Sequence, residues 1–160
     1  MEKKVRNAVR CFIIKDNKVV AIRYKDENKK AGFYDIPGGK IEDGETPEET
    51  AIREVKEETN VDVNNLEFKG EMVIEYPERI FNFKVFYTKE YTGEIKETEE
   101  NFVENIDIEK LLEKEKKLSN IIILDKFLRN LLIEDTNNKF KLFIEVDDQE
   151  NILKLNFDKK

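Results

Sequence analysis

The amino-acid sequence predicts a single domain with an α/β or α+β layered fold, and three observations lead there. Runs rich in β-branched and aromatic residues intermix with segments of helical pattern along the chain. A length of 160 residues suits one sizeable core. No internal repeat, low-complexity linker or shift in composition divides the chain.

The elements follow in order. The stretch "VRNAVRCFIIKDNKVVAIRYKD" reads as two strands around a short turn at Asp16-Asn17. A polar loop, "KDENKKAG", comes next. In "FYDIPGGK", Pro37 and Gly38-Gly39 predict a tight, backbone-exposing turn. Residues 47–59 predict a helix. Thr46 is its N-cap, Pro47 fits the first helical position, and Glu49 completes a capping box. Asn60 stands where a left-handed residue ends the helix. Strands are expected near Leu66–Tyr76 and Ile80–Tyr91, joined by a turn at Pro77-Glu78. Residues 94–101 read as a polar loop. Helices are expected at Ile108–Lys116 and Asn120–Glu134, the second capped by Ser119. The tail "KFKLFIEVDDQENILKLNF", residues 139–157, reads as a hairpin from its apolar alternation.

Composition narrows the function. Charged residues make up 41% of the chain and hydrophobic ones 39%, with a net charge of −7. That balance argues against a nucleic-acid polymer as partner, while a small anionic substrate stays open if a metal brings positive charge. The single cysteine, Cys11, cannot form an internal disulfide, and its neighbours Phe12, Ile13 and Ile14 mark it as core filler. A lone cysteine, no apolar signal-like start and no membrane-length apolar run together point to the cytoplasm and away from membranes. There is no histidine. A general base must then be a carboxylate, Lys, Tyr or Cys11, and any metal must sit among oxygens, as Mg²⁺ or Mn²⁺ does.

Acidic side chains crowd residues 39–61. At about 100° per residue, Ala51, Ile52, Val55 and Thr59 share one side of the helix, while Glu54, Glu57 and Glu58 cluster on another. Arg53 is placed to pair with Glu57 at i+4. One arginine neutralises one of three crowded carboxylates, and the surplus suits a divalent ion. The alternative is a solvated Glu-rich face, but a Gly-Gly turn that brings main-chain oxygens to the first helical turns favours the ion.

This stretch resembles the Nudix box, G-x5-E-x7-R-E-U-x-E-E-x-G-U, where U is bulky and aliphatic. Gly39, Glu45, Arg53, Glu54, Val55, Glu57, Glu58 and Val61 stand in register, and only Asn60 departs, replacing a glycine at the helix end. The resemblance implies an α/β Nudix fold, a mixed β-sheet sandwiched between helices. Residues 1–134 would form the hydrolase domain, and residues 135–160 an extra C-terminal β-hairpin packed on it. It also implies Mg²⁺-dependent hydrolysis (Mn²⁺ as alternative) of a phosphoanhydride in a nucleoside diphosphate-linked small molecule. Glu54, Glu57 and Glu58, with the Gly39 or Gly38 carbonyl, would be the metal ligands. Arg53 and Glu45 would brace them, and one acid from Glu97, Glu99 and Glu100, preferably Glu100 or Glu99, would join from a later loop. Lys40, Arg23 and Tyr34 are candidate substrate contacts, with core packing the first role of Tyr34; Arg6 and Arg10 are further phosphate-binding candidates.

The compact start resembles members that act on nucleoside triphosphates, so a (d)NTP or modified nucleotide ranks first. ADP-ribose or a nucleotide sugar ranks second, on Pro77 sixteen residues beyond Val61, and a dinucleoside polyphosphate third. An isomerase of this fold draws on histidine, which is absent. A non-catalytic nucleotide-binding domain would lose box glutamates, and all are kept here. The hairpin leaves three roles open: covering the core, capping the pocket, or pairing with a second subunit as a homodimer.

Overall fold

A computed structural model describes residues 2–25, 34–114 and 139–159. β1 (Lys4–Lys15) and β2 (Lys18–Tyr24) form the first hairpin. Its two turn residues, Asp16 and Asn17, have φ of 53° and 63°, the doubly left-handed geometry that matches strand twist and that Asx residues tolerate. β1 and β2 pair only at Ile14↔Val19 and Lys15↔Lys18 before splaying apart. Beyond that point β1 lies antiparallel to β4 (Gly38–Lys40) and parallel to β6 (Arg79–Thr88). β2 instead continues against β3 (Tyr34–Asp35) and β7 (Asn101–Asp107). β5 (Glu67–Glu75) pairs antiparallel with β6. The C-terminal hairpin, β8 (Phe140–Val146) and β9 (Ile152–Lys159), extends the sheet by a parallel join of β8 to β5. The order is β3-β2-β1-β6-β5-β8-β9, so the mixed sheet predicted for the chain is present.

Strand alternation sends side chains to two cores. Val9, Cys11 and Ile13 of β1 meet Ala51 and Val55 of helix α1 (Pro47–Thr59) on one face. Ala8, Phe12 and Ile14 join Met72, Phe83, Leu142 and Ile144 on the other, where Ile108 and Leu111 of α2 (Ile108–Lys114) pack. Helices therefore lie on both faces. Gly70 pins the C-terminal join. It sits at a β-bulge with φ of +135°, and a Cβ there would lie 1.8 Å from the Phe140 carbonyl oxygen. Only glycine permits that approach.

Four expectations change. The span 94–101 is not all loop: Asn101 opens β7, whose alternation was hidden beside an acidic run, and it pairs with β2 from Tyr24 to Lys18. Gly38-Gly39 do not form a turn but lie in β4, where their lack of side chains lets the backbone sit flat against β1 and α1. β6 ends at Thr88, not Tyr91. β1 starts at Lys4. The Pro77-Glu78 turn is present between β5 and β6. The end of the helix expected at 108–116, the helix at 120–134 with its Ser119 cap, and most of the 25–32 loop lie outside the described residues.

Candidate active site

The site is built on α1, and local chemistry holds that helix at both ends. Glu49 N–H donates to Thr46 Oγ1 at 3.2 Å, and Thr46 N–H donates to Glu49 Oε1 at 2.9 Å, the predicted capping box. At the other end Asn60 is left-handed (φ 74°) and its N–H reaches the Lys56 carbonyl. The Asn60 side chain also donates to the Glu94 carbonyl at 3.0 Å, which glycine could not do. Thr50, Ala51, Val55 and Thr59 are buried, and Glu54, Glu57 and Glu58 stand along the flank beside them, with Glu54 and Glu58 half-buried.

Arg53 gathers the acids. Its Nε and Nη2 donate to the two oxygens of Glu45 at 2.7 and 2.9 Å. Its Nη1 donates to Glu54 at 2.9 Å and reaches Glu57 at 3.3 Å, and Nη2 touches the Lys40 carbonyl at 3.4 Å. The two-pronged hold of Arg53 drops Glu45 to about 2, and Glu45 also accepts from Glu42 N–H and Thr50 Oγ1.

Glu54 and Glu58 behave differently. Burial raises both, Glu58 to about 8, although Gly38 N–H donates to Glu58 at 2.8 Å. Glu57 is more open to solvent. The glycines make this packing feasible: a Cβ on Gly39 would lie 2.5 Å from Glu54 Cδ, and one on Gly38 would lie 2.0 Å from the Val9 carbonyl oxygen.

A cleft of about 310 Å³ runs between α1 and the connection from β6 to β7, lined by Glu54, Glu57, Glu58, Thr98, Glu99, Glu100 and Asn101. Glu99 and Glu100 thus share the cleft with the helix carboxylates. Glu97 does not line the cleft but pairs with Lys25 at 3.0 Å. Among the described residues no three acids converge as a closed metal cluster: Arg53 Nη1 lies between Glu54 and Glu57, and Glu58 accepts from Gly38 N–H.

The remaining candidates divide. Lys40 is exposed beside Gly39. Arg23 and Tyr34 sit together on β2 and β3: the Arg23 guanidinium lies 4.4 Å from the Phe102 ring centre and 3.8 Å from Glu104, to which the Tyr34 hydroxyl donates at 3.2 Å. Tyr34 is buried, in keeping with core packing. Arg6 and Arg10 share one face, over Phe81 and Phe83 respectively. Arg10 comes nearest the acids. Its guanidinium lies 4.7 Å over Phe83 and 3.5 Å from Asp35, which also accepts from the Tyr24 hydroxyl at 3.2 Å. Burial works against its charge, yet Asp35, Tyr24, Glu58 and Glu54 hold Arg10 above its ordinary value. The sequence reading missed Asp35 and Tyr24. They stand eleven positions apart and farther still from Arg10, which leaves no local spacing to read, and only strand register joins them.

Known proteins resemble this chain in sequence and in fold. The NUDIX domain family model matches residues 4–127. The 8-oxo-dGTP diphosphatase of Proteus vulgaris is 31% identical over 96 residues, 60% of this chain and 86% of the relative. The ADP-ribose pyrophosphatase of Methanocaldococcus jannaschii is 48% identical over 54 residues, 34% of this chain and 31% of its own. The crystal structure of a MutT protein from Bacillus halodurans superposes with a TM-score of 0.79, covering 96% of this chain and 97% of that one at 23% identity, a likeness of fold.

Proposed function

The chain belongs to the Nudix family and is a pyrophosphohydrolase of nucleoside diphosphate-linked substrates; from that premise we propose that it cleaves nucleoside triphosphates, modified ones first, with Mg²⁺. The observation that carries this reading is the facing of two acidic walls, Glu54, Glu57 and Glu58 on α1 against Glu99 and Glu100, across one cleft. A polyanionic substrate cannot enter such a cleft unless a cation lies between.

The donors fit that cation. All are oxygens, which suits a hard divalent ion, Mg²⁺ with Mn²⁺ as the alternative. Burial raises Glu54 and Glu58 although Arg53, Arg10 and the Gly38 N–H oppose the rise, and a cation between the two would relieve the penalty that burial sets on their charge. Glu54, Glu57, Glu58 and the Gly39 carbonyl would hold the ion. Such an ion, when bound, would supply positive charge against the substrate's phosphates and favour ionisation of the attacking water. The chain's own residues do the rest. Arg53, held by Glu45, fixes Glu54 against Gly39 and reaches Glu57. Glu100, with Glu99 beside it, supplies a further acid to take the proton of the attacking water, a task that Glu57 or Glu58 could also fill. Lys40, Arg23 and Tyr34 would be the nucleotide contacts, and Arg10 would keep a positive charge near Glu58.

ADP-ribose is the second reading, supported by the Methanocaldococcus jannaschii relative. Pro77 adds nothing to it, since it occupies the β5–β6 turn. The same proposal reads residues 1–134 as the hydrolase domain with 135–160 as its hairpin extension, takes a small nucleotide and no nucleic-acid polymer as partner, and places the protein in the cytoplasm. No helix among the described residues is long and apolar enough to cross a membrane.

The test is a Mg²⁺-dependent hydrolysis screen with product analysis, covering 8-oxo-dGTP, ordinary dNTPs and ADP-ribose. We expect a nucleoside monophosphate and pyrophosphate from a triphosphate, loss of activity with EDTA, and recovery with Mg²⁺. Glu57→Gln and Glu58→Gln should each lower turnover by at least about a hundredfold with the helix still folded. Hydrolysis that ignores EDTA, or near-wild-type turnover in both variants, would sink the assignment.

A further inference from the structure

We propose that the outer edge of β9 is a self-complementary interface, through which two copies of the chain join their sheets by antiparallel pairing centred on Asn156. Among the described residues β9 pairs only with β8, so its other edge is a margin of the sheet. Such an edge is a template for another strand unless something blocks it. Charged side chains usually do the blocking, and β9 carries Lys154 and Asp158, both exposed. Their spacing reverses the effect for one partner alone.

A two-fold axis normal to the sheet at Asn156 sets residues i and j opposite each other wherever the two numbers average to 156. Lys154 of one copy then meets Asp158 of the other, twice per dimer. Opposite charges placed directly across an antiparallel pair attract. On the other side of the sheet, the same register sets Leu155 against Phe157. Both are half-buried at the margin of the core that holds Leu142 and Ile144. Asn156 faces its own symmetry mate, and amide side chains can donate to and accept from each other. A shift of one residue, centring on Leu155, would lose both ion pairs and set Asp158 against Ile152.

The register of the whole sheet gives an independent argument. Across the polar side of the sheet, Lys84 pairs with Glu71, Glu71 with Lys141, and Lys141 with Asp158. Signs alternate along this row, and the Lys84–Glu71 ion pair is formed. Pairing at Asn156 carries the row onto Lys154 and then Glu145 of the second copy, which are themselves cross-strand partners. The alternation of charge therefore continues unbroken through the seam, Lys84, Glu71, Lys141 and Asp158 followed by Lys154 and Glu145. A row ending at Asp158 is what an edge open to a second copy would present.

Sedimentation and light scattering of the full chain test this. The wild type should show a concentration-dependent species of twice the 19.0 kDa chain mass. Lys154→Asp and Asp158→Lys each place like charges opposite one another at two symmetric positions. Each should raise the dimer dissociation constant at least about tenfold. The double variant, with both charges exchanged, should return it toward the wild-type value. Far-UV circular dichroism checks that the hairpin folds. If a charge variant fails that check, Asn156→Cys decides instead, because directly opposite strand residues approach within disulfide range and Cys11 is buried. Oxidation should then give a covalent dimer. A wild type that is monomeric throughout would overturn the proposal, with protected β9 amides meaning that another part of the chain covers the edge. Dimers indifferent to both single variants, a double variant that stays monomeric, or an Asn156→Cys chain that forms no cross-link would equally overturn it.

Discussion

Glu45 shows how a residue outside the cleft controls those inside it. It holds the Arg53 guanidinium on two bonds, and Arg53 in turn holds Glu54 and Glu57. That hold drops its carboxyl from 4.5 to about 2. A carboxylate depressed on folding adds stability above its unfolded value, and the gain is lost as pH falls through the folded one. We therefore expect stability to decline as pH drops from 4.5 toward 2, and Glu45→Gln to flatten that decline. Urea midpoints measured across the window compare the two slopes; equal slopes would contradict the pairing. The Glu45–Arg53 link was legible in the sequence because both lie within one motif, a short span apart. Arg10, Tyr24 and Asp35 were not, because three separate strands bring them together.

At the scale of the element, α1 was the most legible feature, since every signal that defines it is local. Cap, first-turn proline and left-handed terminator stand where the residues predicted, while the buried stripe takes in Thr50 and leaves the expected Ile52 half-buried. The departure from the family pattern at Asn60 is itself explained: the side chain accepts the left-handed backbone and ties the helix end to Glu94. Asn60→Ala should cost about 1–2 kcal/mol, through left-handed strain and loss of that tie. Asn60→Gly relieves the backbone but still loses the tie, so it should fall between the two. Thermal or urea unfolding of the three chains checks the order, and an alanine variant as stable as wild type would refute it. β7 was illegible for the opposite reason. "NFVENID" alternates weakly, and its identity as a strand rests on pairing with β2, far earlier in the chain. β4 likewise owes its form to β1, and its glycines, which read locally as a turn, serve close packing with Val9 and Glu54.

At the scale of the molecule, one sheet carries two cores, and the candidate cleft lies where α1 and the β6–β7 connection come together. Composition foretold the interior better than it foretold the strand order. Cys11 was predicted as filler and is fully buried, with burial pushing its thiol up to about 12. We expect no reaction with a thiol reagent at about pH 8 in the folded protein and one equivalent after denaturation. Rapid labelling of the native chain would show that the β1 core opens. The parallel join of β8 to β5 could not be read from the sequence, because nothing local specifies which edge a distant hairpin will choose.

That join also sets a timetable. β5 is complete at Glu75, but the strand that covers its edge begins at Phe140. At roughly 5–20 residues per second on a ribosome, several seconds pass in which the nascent sheet offers the β5 edge to any neighbour. A polysome making this chain is then where uncovered β5 edges would crowd together, and where a chaperone would have most to guard.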